Sequence, residues 1–241
     1  MLLELVDVTK TYGGLDAVHR VSFAVGRGEI VGLMGANGAG KTTLFKLIAG
    51  NERPTSGRIL LEGEPLDGLR PDQVSRRGVA RTFQVVRPFL GMTVRENVEI
   101  ALMYGTARER RRSLASRRAV EVLEEVGLAE RAEDPAGTLT LAGQKRLEVA
   151  RSLATGARLL LLDEVMAGLT PTEVSQALEM VREFQRRRGL TLLVIEHVMG
   201  VLMRLCGRVV VLHHGRKLAE GTPEEVGRSQ EVLDSYLGAS A

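Results

Sequence analysis

The sequence predicts an α/β protein: a core on a parallel sheet, an antiparallel β lobe beside it, and a helical subdomain inserted between the two halves of the core. Three observations carry this expectation. Short apolar runs, Leu159-Leu160-Leu161-Leu162 and Leu192-Leu193-Val194-Ile195, suit strands covered on both faces. Alternating segments at 3–8 and 21–25 suit half-buried antiparallel strands. From Pro88 to about Leu153 the apolar spacing changes to that of helices.

Taken in order, the strands expected at 3–8 and 21–25 are followed by the turn Gly26-Arg27-Gly28 and a buried strand at 29–34. A helix is expected over 43–49, and Pro54-Thr55-Ser56-Gly57 is a turn into a strand at 58–62. A short helix at 71–76 carries Asp72 in its first turn, and a strand at 79–83 ends at Gln84. The helical region reads as 94–104, 117–126 and a helix running through 146–151. The core resumes with a strand at 158–164, a helix at 171–185, a strand at 192–195 ending at Glu196-His197, and a hairpin of 208–212 with 217–220 around Gly215. This divides a single domain of residues 1–241 into a core (1–84 and 157–241) and a helical subdomain (85–156). No repeat or low-complexity segment interrupts it.

Composition sets limits on function. With 44% hydrophobic and 26% charged residues the chain has a sizeable core and does not read as disordered. Its 33 basic and 30 acidic residues leave a net charge of only +3, weak ground for a nucleic-acid partner. The arginines at 108, 110, 111, 112, 117 and 118 are followed by acids within a turn or two, as on a solvated helix face. A single cysteine, Cys206, excludes internal disulfides and zinc clusters and fits a reducing compartment. No apolar run approaches the ~20 residues of a membrane span, and Met1-Leu2-Leu3-Glu4 lacks a secretory pattern, so a cytoplasmic or membrane-peripheral protein is expected.

The stretch Gly35-Ala36-Asn37-Gly38-Ala39-Gly40-Lys41-Thr42-Thr43 fits G-x-x-x-x-G-K-[ST] between an expected strand and an expected helix. Glycines at 35, 38 and 40 let the backbone approach an anion, so that loop N–H groups and the helix N-terminus face phosphate oxygens. Lys41 is placed to reach the β- and γ-phosphates of ATP, and the Thr42 hydroxyl to meet Mg²⁺. A Gly-rich turn with an accidental lysine would not need strand and helix in that order.

An apolar strand ending in Asp163-Glu164 is the expected partner of such a cradle. Asp163 would hold Mg²⁺ directly or through water, and Glu164 would polarise the water attacking the γ-phosphate. Gln84 and His197 repeat the design of a polar residue at the C-terminal end of a core strand, the edge where ligands bind in open α/β sheets. Tyr12, in Tyr12-Gly13-Gly14, reads as a loop aromatic that either stacks on adenine or packs on the surface. His213 and His214 have no acids in a ligand spacing and read as structural.

In the order of these residues the chain resembles the ATP-binding subunits of ABC transporters over nearly its whole length. The resemblance implies a P-loop NTPase core and gives each residue a role: Tyr12 the A-loop, Gly35 to Thr42 Walker A, with Thr43 beside it in the nucleotide site, and Gln84 the Q-loop and a metal contact. Asp163 and Glu164 match Walker B and the catalytic base, Ala167-Gly168-Leu169-Thr170 the D-loop, and His197 the switch. Lys41, Gln84, Glu164 and His197 would then serve catalysis. Counting back from Ala150-Arg151 sets the L-S-G-G-Q signature on Leu139-Thr140-Leu141-Ala142-Gly143, making Thr140, Ala142 and Gly143 contacts to the γ-phosphate of a partner's ATP. A second register sets its last Gly-Gln on Gly143-Gln144. The segment departs from the pattern, with Leu141 and Ala142 replacing two glycines. Thr170 stands where the family usually has aspartate, and Val165 where proline is common.

Ala80-Arg81-Thr82-Phe83-Gln84, Ile195-Glu196-His197-Val198-Met199 and Gly221-Thr222-Pro223-Glu224-Glu225 resemble the ATPases of branched-chain amino-acid importers; lipopolysaccharide-export ATPases share much of the core. The partners implied are transmembrane permease subunits, meeting the surface around Gln84 and Arg87-Pro88-Phe89-Leu90, and a second ATP-binding subunit, identical or paralogous. A periplasmic or extracellular substrate-binding protein would be an indirect partner, and the location is the cytoplasmic face of the membrane. Nucleic-acid-associated ABC ATPases carry coiled coils or zinc modules, neither of which is present here. A regulatory module without turnover is at odds with an intact Glu164.

Overall fold

Buried residues at alternate positions along Leu3, Leu5, Val21, Phe23 and Val25 show why the first strands form: each presents one apolar face inward and one polar face outward. The computed structural model describes residues 1–82, 88–106, 108–196 and 198–237, the side chains of Tyr236 and Leu237 excepted. In chain order the first elements are β1 (Leu3–Tyr12), β2 (Leu15–Val25), β3 (Ile30–Met34), α1 (Lys41–Ile48), β4 (Ser56–Leu61), β5 (Glu64–Pro65), α2 (Pro71–Arg76) and β6 (Val79–Arg81). Next come α3 (Val94–Tyr104), α4 (Arg112–Glu125), α5 (Leu141–Ala154), β7 (Leu159–Asp163) and α6 (Pro171–Arg188). The chain continues with β8 (Thr191–Ile195), α7 (Met199–Leu205), β9 (Arg208–His213), β10 (Arg216–Gly221), α8 (Pro223–Arg228) and α9 (Gln230–Leu237). They pack as two units, one of residues 1–74 with 190–241 and one of residues 75–189.

In the first unit, β1 and β4 are the inner strands of an antiparallel sheet ordered β2-β1-β4-β5. Leu3 lies opposite Val25 on one side and Leu61 on the other. In this unit's second sheet β3 runs parallel to both β8 and β9, with Leu33 opposite Ile195 and Val210. β10 closes on β9 as an antiparallel hairpin. All five residues of β8 are buried, as a strand covered on both faces requires. Leu44, Phe45, Leu47 and Ile48 of α1 are buried, so the helix carrying the motif's lysine is anchored by its apolar side.

In the second unit β6 and β7 pair in parallel, and β7 is buried throughout. Helix α3 packs against α4 and α5, burying Val98, Leu102, Leu123, Leu147 and Leu153. Helix ends follow local chemistry. Thr93 with Glu96 and Thr170 with Glu173 form capping boxes at the starts of α3 and α6, and left-handed Gly189 ends α6.

Several boundaries differ from the sequence reading. Helix α4 begins at Arg112 rather than 117, because Ala115 and Ala119 extend the buried stripe of Val122 and Leu123 a full turn upstream. Exposed Arg111, Arg112, Arg117 and Arg118 lie on its outer side, as expected. Strand β6 stops at Arg81, not 83. Tyr12 is the last residue of β1, not a loop residue. Helices α7, α8 and α9 were not anticipated; α8 is announced only by Pro223 and the Thr222–Glu225 capping box.

Candidate functional site

β3 delivers the chain into the glycine loop and α1 carries it away, so the cradle in the first unit is fixed at both ends. Gly35 has φ 152° and Gly40, the N-cap of α1, φ 101°. A Cβ would stand 2.3 Å from Leu212 O at Gly35 and 2.4 Å from Ala17 O at Gly40, so only glycine fits either position. The loop is tied to distant chain: Gly215 N donates to Ala39 O at 3.1 Å, and His19 N to Gly215 O at 2.7 Å. Among the described residues no side chain caps α1, and no acid stands in its first turn. The N-terminus of α1 thus carries the positive end of the helix dipole with no acid in its first turn, a local field that favours an anion.

Lys41 is only 5% exposed. Its Nζ arches back to donate to Gly35 O at 2.7 Å and Ala36 O at 3.0 Å, across the loop its own backbone leaves. Thr42 is exposed and Thr43 half-buried. Ala36, Asn37, Gly38 and Ala39 line a cavity of about 680 Å³ with His213, His214, Glu231 and Asp234. The two histidine rings, 4.0 Å apart, thus stand beside the phosphate loop, which their sequence position did not reveal. Tyr12 is 43% exposed, with Lys10 Nζ 4.8 Å from its ring centroid. Burial and the neighbouring Glu52 raise its hydroxyl above the usual tyrosine range.

In the second unit, β7 ends in the two acids. Asp163 is 1% exposed, and Arg81 at the end of β6 donates from Nη2 to its Oδ2 at 2.7 Å. Thr82 Oγ1 accepts from Asp163 N at 3.0 Å. Glu164 is 8% exposed and has φ 51°, a left-handed conformation uncommon for residues other than glycine. Buried Lys145, from the first turns of α5, donates to Glu164 O at 3.0 Å. A backbone held out of the ordinary regions by a surrounding contact is characteristic of a functional turn. Arg81, Thr82 and Lys145 were missed as site residues, though a charged residue at the end of an apolar strand is a signal that sequence alone offers.

The segment aligned with the signature caps α5. Thr140 is its N-cap and accepts from Gly143 N at 3.3 Å. Leu141 is 49% exposed, with Cδ2 3.3 Å from where a Gly168 Cβ would stand, so its side chain leans on the expected D-loop. Ala142 and Gly143 are half-buried in the first turn, which has no acid. Gln84 and His197 lie outside the described residues, as does Arg87; Phe89 and Leu90 are exposed, with the Arg151 guanidinium 5.0 Å from the Phe89 ring centroid. The Thr42 hydroxyl and the Asp163 carboxylate are hard oxygen donors of the kind that hold Mg²⁺ on a nucleotide.

The profile described as ABC transporter matches residues 18–167, from β2 through both acids to the turn beyond them. The chain belongs to the ABC transporter family. Within it the chain is an ATP-binding subunit that hydrolyses ATP to power a membrane transporter. A second profile, described as branched-chain amino acid ATP-binding cassette transporter, matches residues 216–241. The high-affinity branched-chain amino acid transport ATP-binding protein LivG of Salmonella typhimurium is 41% identical over 98% of each chain. Among solved structures, the ADP conformation of an ATP-binding cassette of an ABC transporter superposes with a TM-score of 0.89 at 27% identity, covering 98% of each chain. A dimeric bacterial ABC transporter cassette superposes with a TM-score of 0.82 at 25% identity, over 92% of this chain and 99% of that one. The family and the α/β class are those the order of motifs implied.

Proposed function

We propose that this chain is the ATPase of a branched-chain amino-acid importer, working at the cytoplasmic face of the membrane against permease subunits and paired with a second ATP-binding subunit. One observation carries the substrate class: the 41% identity to LivG, which extends over 98% of both chains and so includes the C-terminal region. No helix among the described residues is long and apolar enough to cross a membrane, so a permease partner would supply the pathway. A substrate-binding protein on the far side would select the cargo. For function, residues 1–241 form a single cassette, its nucleotide core 1–84 and 157–241 and its helical subdomain 85–156.

In this reading the loop from Gly35 to Thr43 takes the phosphates of ATP: Ala36, Asn37, Gly38 and Ala39 through backbone N–H groups, Lys41 through its ammonium. The buried ammonium already folded over the loop supports this role. Tyr12 packs on adenine. Thr42, Asp163 and Gln84 would hold Mg²⁺, which would supply charge neutralisation on the phosphates. Glu164 accepts the proton of the attacking water and His197 steadies the γ-phosphate; positioning and charge neutralisation outweigh covalent help in phosphoryl transfer. Thr140, Ala142 and Gly143 meet the γ-phosphate bound by the partner subunit.

The test is uptake. Deleting the gene should abolish high-affinity uptake of radiolabelled leucine, isoleucine and valine, and the wild-type chain should restore it while Glu164→Gln should not. Undiminished uptake of all three after deletion would sink the substrate class.

A further inference from the structure

We propose that Arg81 is a positioning residue for metal binding: it pins one oxygen of Asp163 and so leaves the other turned toward the cation. This rests on the reading of Asp163 as a Mg²⁺ ligand. A carboxylate 1% exposed needs a partner, and it has a directional one: Arg81 Nη2 donates to Oδ2 at 2.7 Å, while Oδ1 accepts no hydrogen bond from any described residue. The strand register produces this geometry. Arg81 lies opposite Leu161 in the parallel pair, and Leu161 and Asp163 project on the same side of β7, so the guanidinium reaches forward along one face to the last residue.

A second contact acts on the same residue independently. Thr82, fully buried, accepts from Asp163 N at 3.0 Å and donates its own N–H to Leu161 O at 3.0 Å. Backbone and carboxylate of Asp163 are thus held by the last residue of β6 and the residue that follows it. Partners that orient metal ligands in this way typically govern metal affinity by about 10–100-fold. A planar guanidinium fixes the carboxylate plane, which a lysine ammonium on a flexible stem does not.

The experiment measures how strongly divalent metal and nucleotide favour each other's binding in the full chain, from the affinity for the non-hydrolysable analogue AMP-PNP with Mn²⁺ and with EDTA. Linkage makes this ratio the metal's own gain in affinity. Electron paramagnetic resonance of Mn²⁺ reads the bound ion directly. Arg81→Met should leave binding in EDTA unchanged, which also shows that the variant is folded, and should cut the Mn²⁺ enhancement by about 10–100-fold. Arg81→Lys should fall between the two. A wild-type enhancement in Arg81→Met, or in Arg81→Lys where the methionine variant does not fold, overturns the proposal. Asp163→Asn separates the two layers. If it keeps the wild-type enhancement, Asp163 is not the metal ligand; if it loses it while the Arg81 variants do not, only the positioning role of Arg81 fails.

Discussion

Two glycines of the phosphate loop differ in what surrounds them, and exchanging each for alanine separates backbone conformation from close approach. Gly38 has φ 79° with nothing within 4 Å of a built Cβ, whereas Gly40 has φ 101° and its Cβ would stand 2.4 Å from Ala17 O. Gly38→Ala therefore carries only the left-handed penalty of ~1–2 kcal/mol. Gly40→Ala carries that penalty and an approach about 1 Å inside ordinary contact, against backbone that β2 holds in place, for a further ~1–3 kcal/mol. In a chain of this size ~1 kcal/mol moves Tm by about 2–4 °C, so Gly38→Ala should melt ~2–8 °C below wild type and Gly40→Ala a further ~2–12 °C lower. The assay is thermal unfolding of the nucleotide-free chain followed by circular dichroism. If the two variants melt within about 2 °C of each other, the approach of Ala17 O does not constrain the loop and the cradle's shape rests on local conformation alone.

Three further outcomes are expected. On the role proposed for Lys41, Lys41→Ala removes a charge-assisted contact worth ~1.5–3 kcal/mol, so ATP affinity measured by calorimetry should fall by about 10–150-fold; unchanged affinity and turnover would detach Lys41 from the nucleotide. Thr140→Arg places a long cation at the exposed N-cap of α5 and should block both ATP-dependent dimerisation, read by size-exclusion chromatography, and hydrolysis; wild-type levels of both would mean the segment touches no phosphate. Burial, reinforced by Glu196, pushes the Cys206 thiol up to about 12, so at pH 8 its thiolate fraction is ~10⁻⁴ and iodoacetamide should label it only on unfolding; full-rate labelling of the native chain would show the thiol to be open.

What was legible in the sequence was local or strongly patterned. The phosphate loop is a contiguous motif, and the four leucines of β7 can be little but a strand covered on both faces. Helix α3 matches its expected bounds because the Thr93–Glu96 box marks its start and Gly105 its end. Contacts made by chain folding back were not legible. Arg81 meets Asp163 across 82 residues and Lys145 meets Glu164 across 19, and no spacing rule joins either pair. His213 and His214 read as structural from the sequence; His213 ends β9 and His214 begins the turn after it, and only the hairpin's placement brings them beside Asn37 and Gly38. Helix α4 was shortened because its first turn is buried through alanine, a residue whose apolar pattern is faint beside four exposed arginines.

The stitch from Gly215 to Ala39 and His19 has a consequence for how the chain is made. A ribosome delivers the glycine loop early and the hairpin turn that braces it near the end, so at about 5–20 residues per second the loop waits roughly 10–35 s for its brace. A truncated product ending before Gly215 would lack both hydrogen bonds by which the hairpin turn braces the loop and β2.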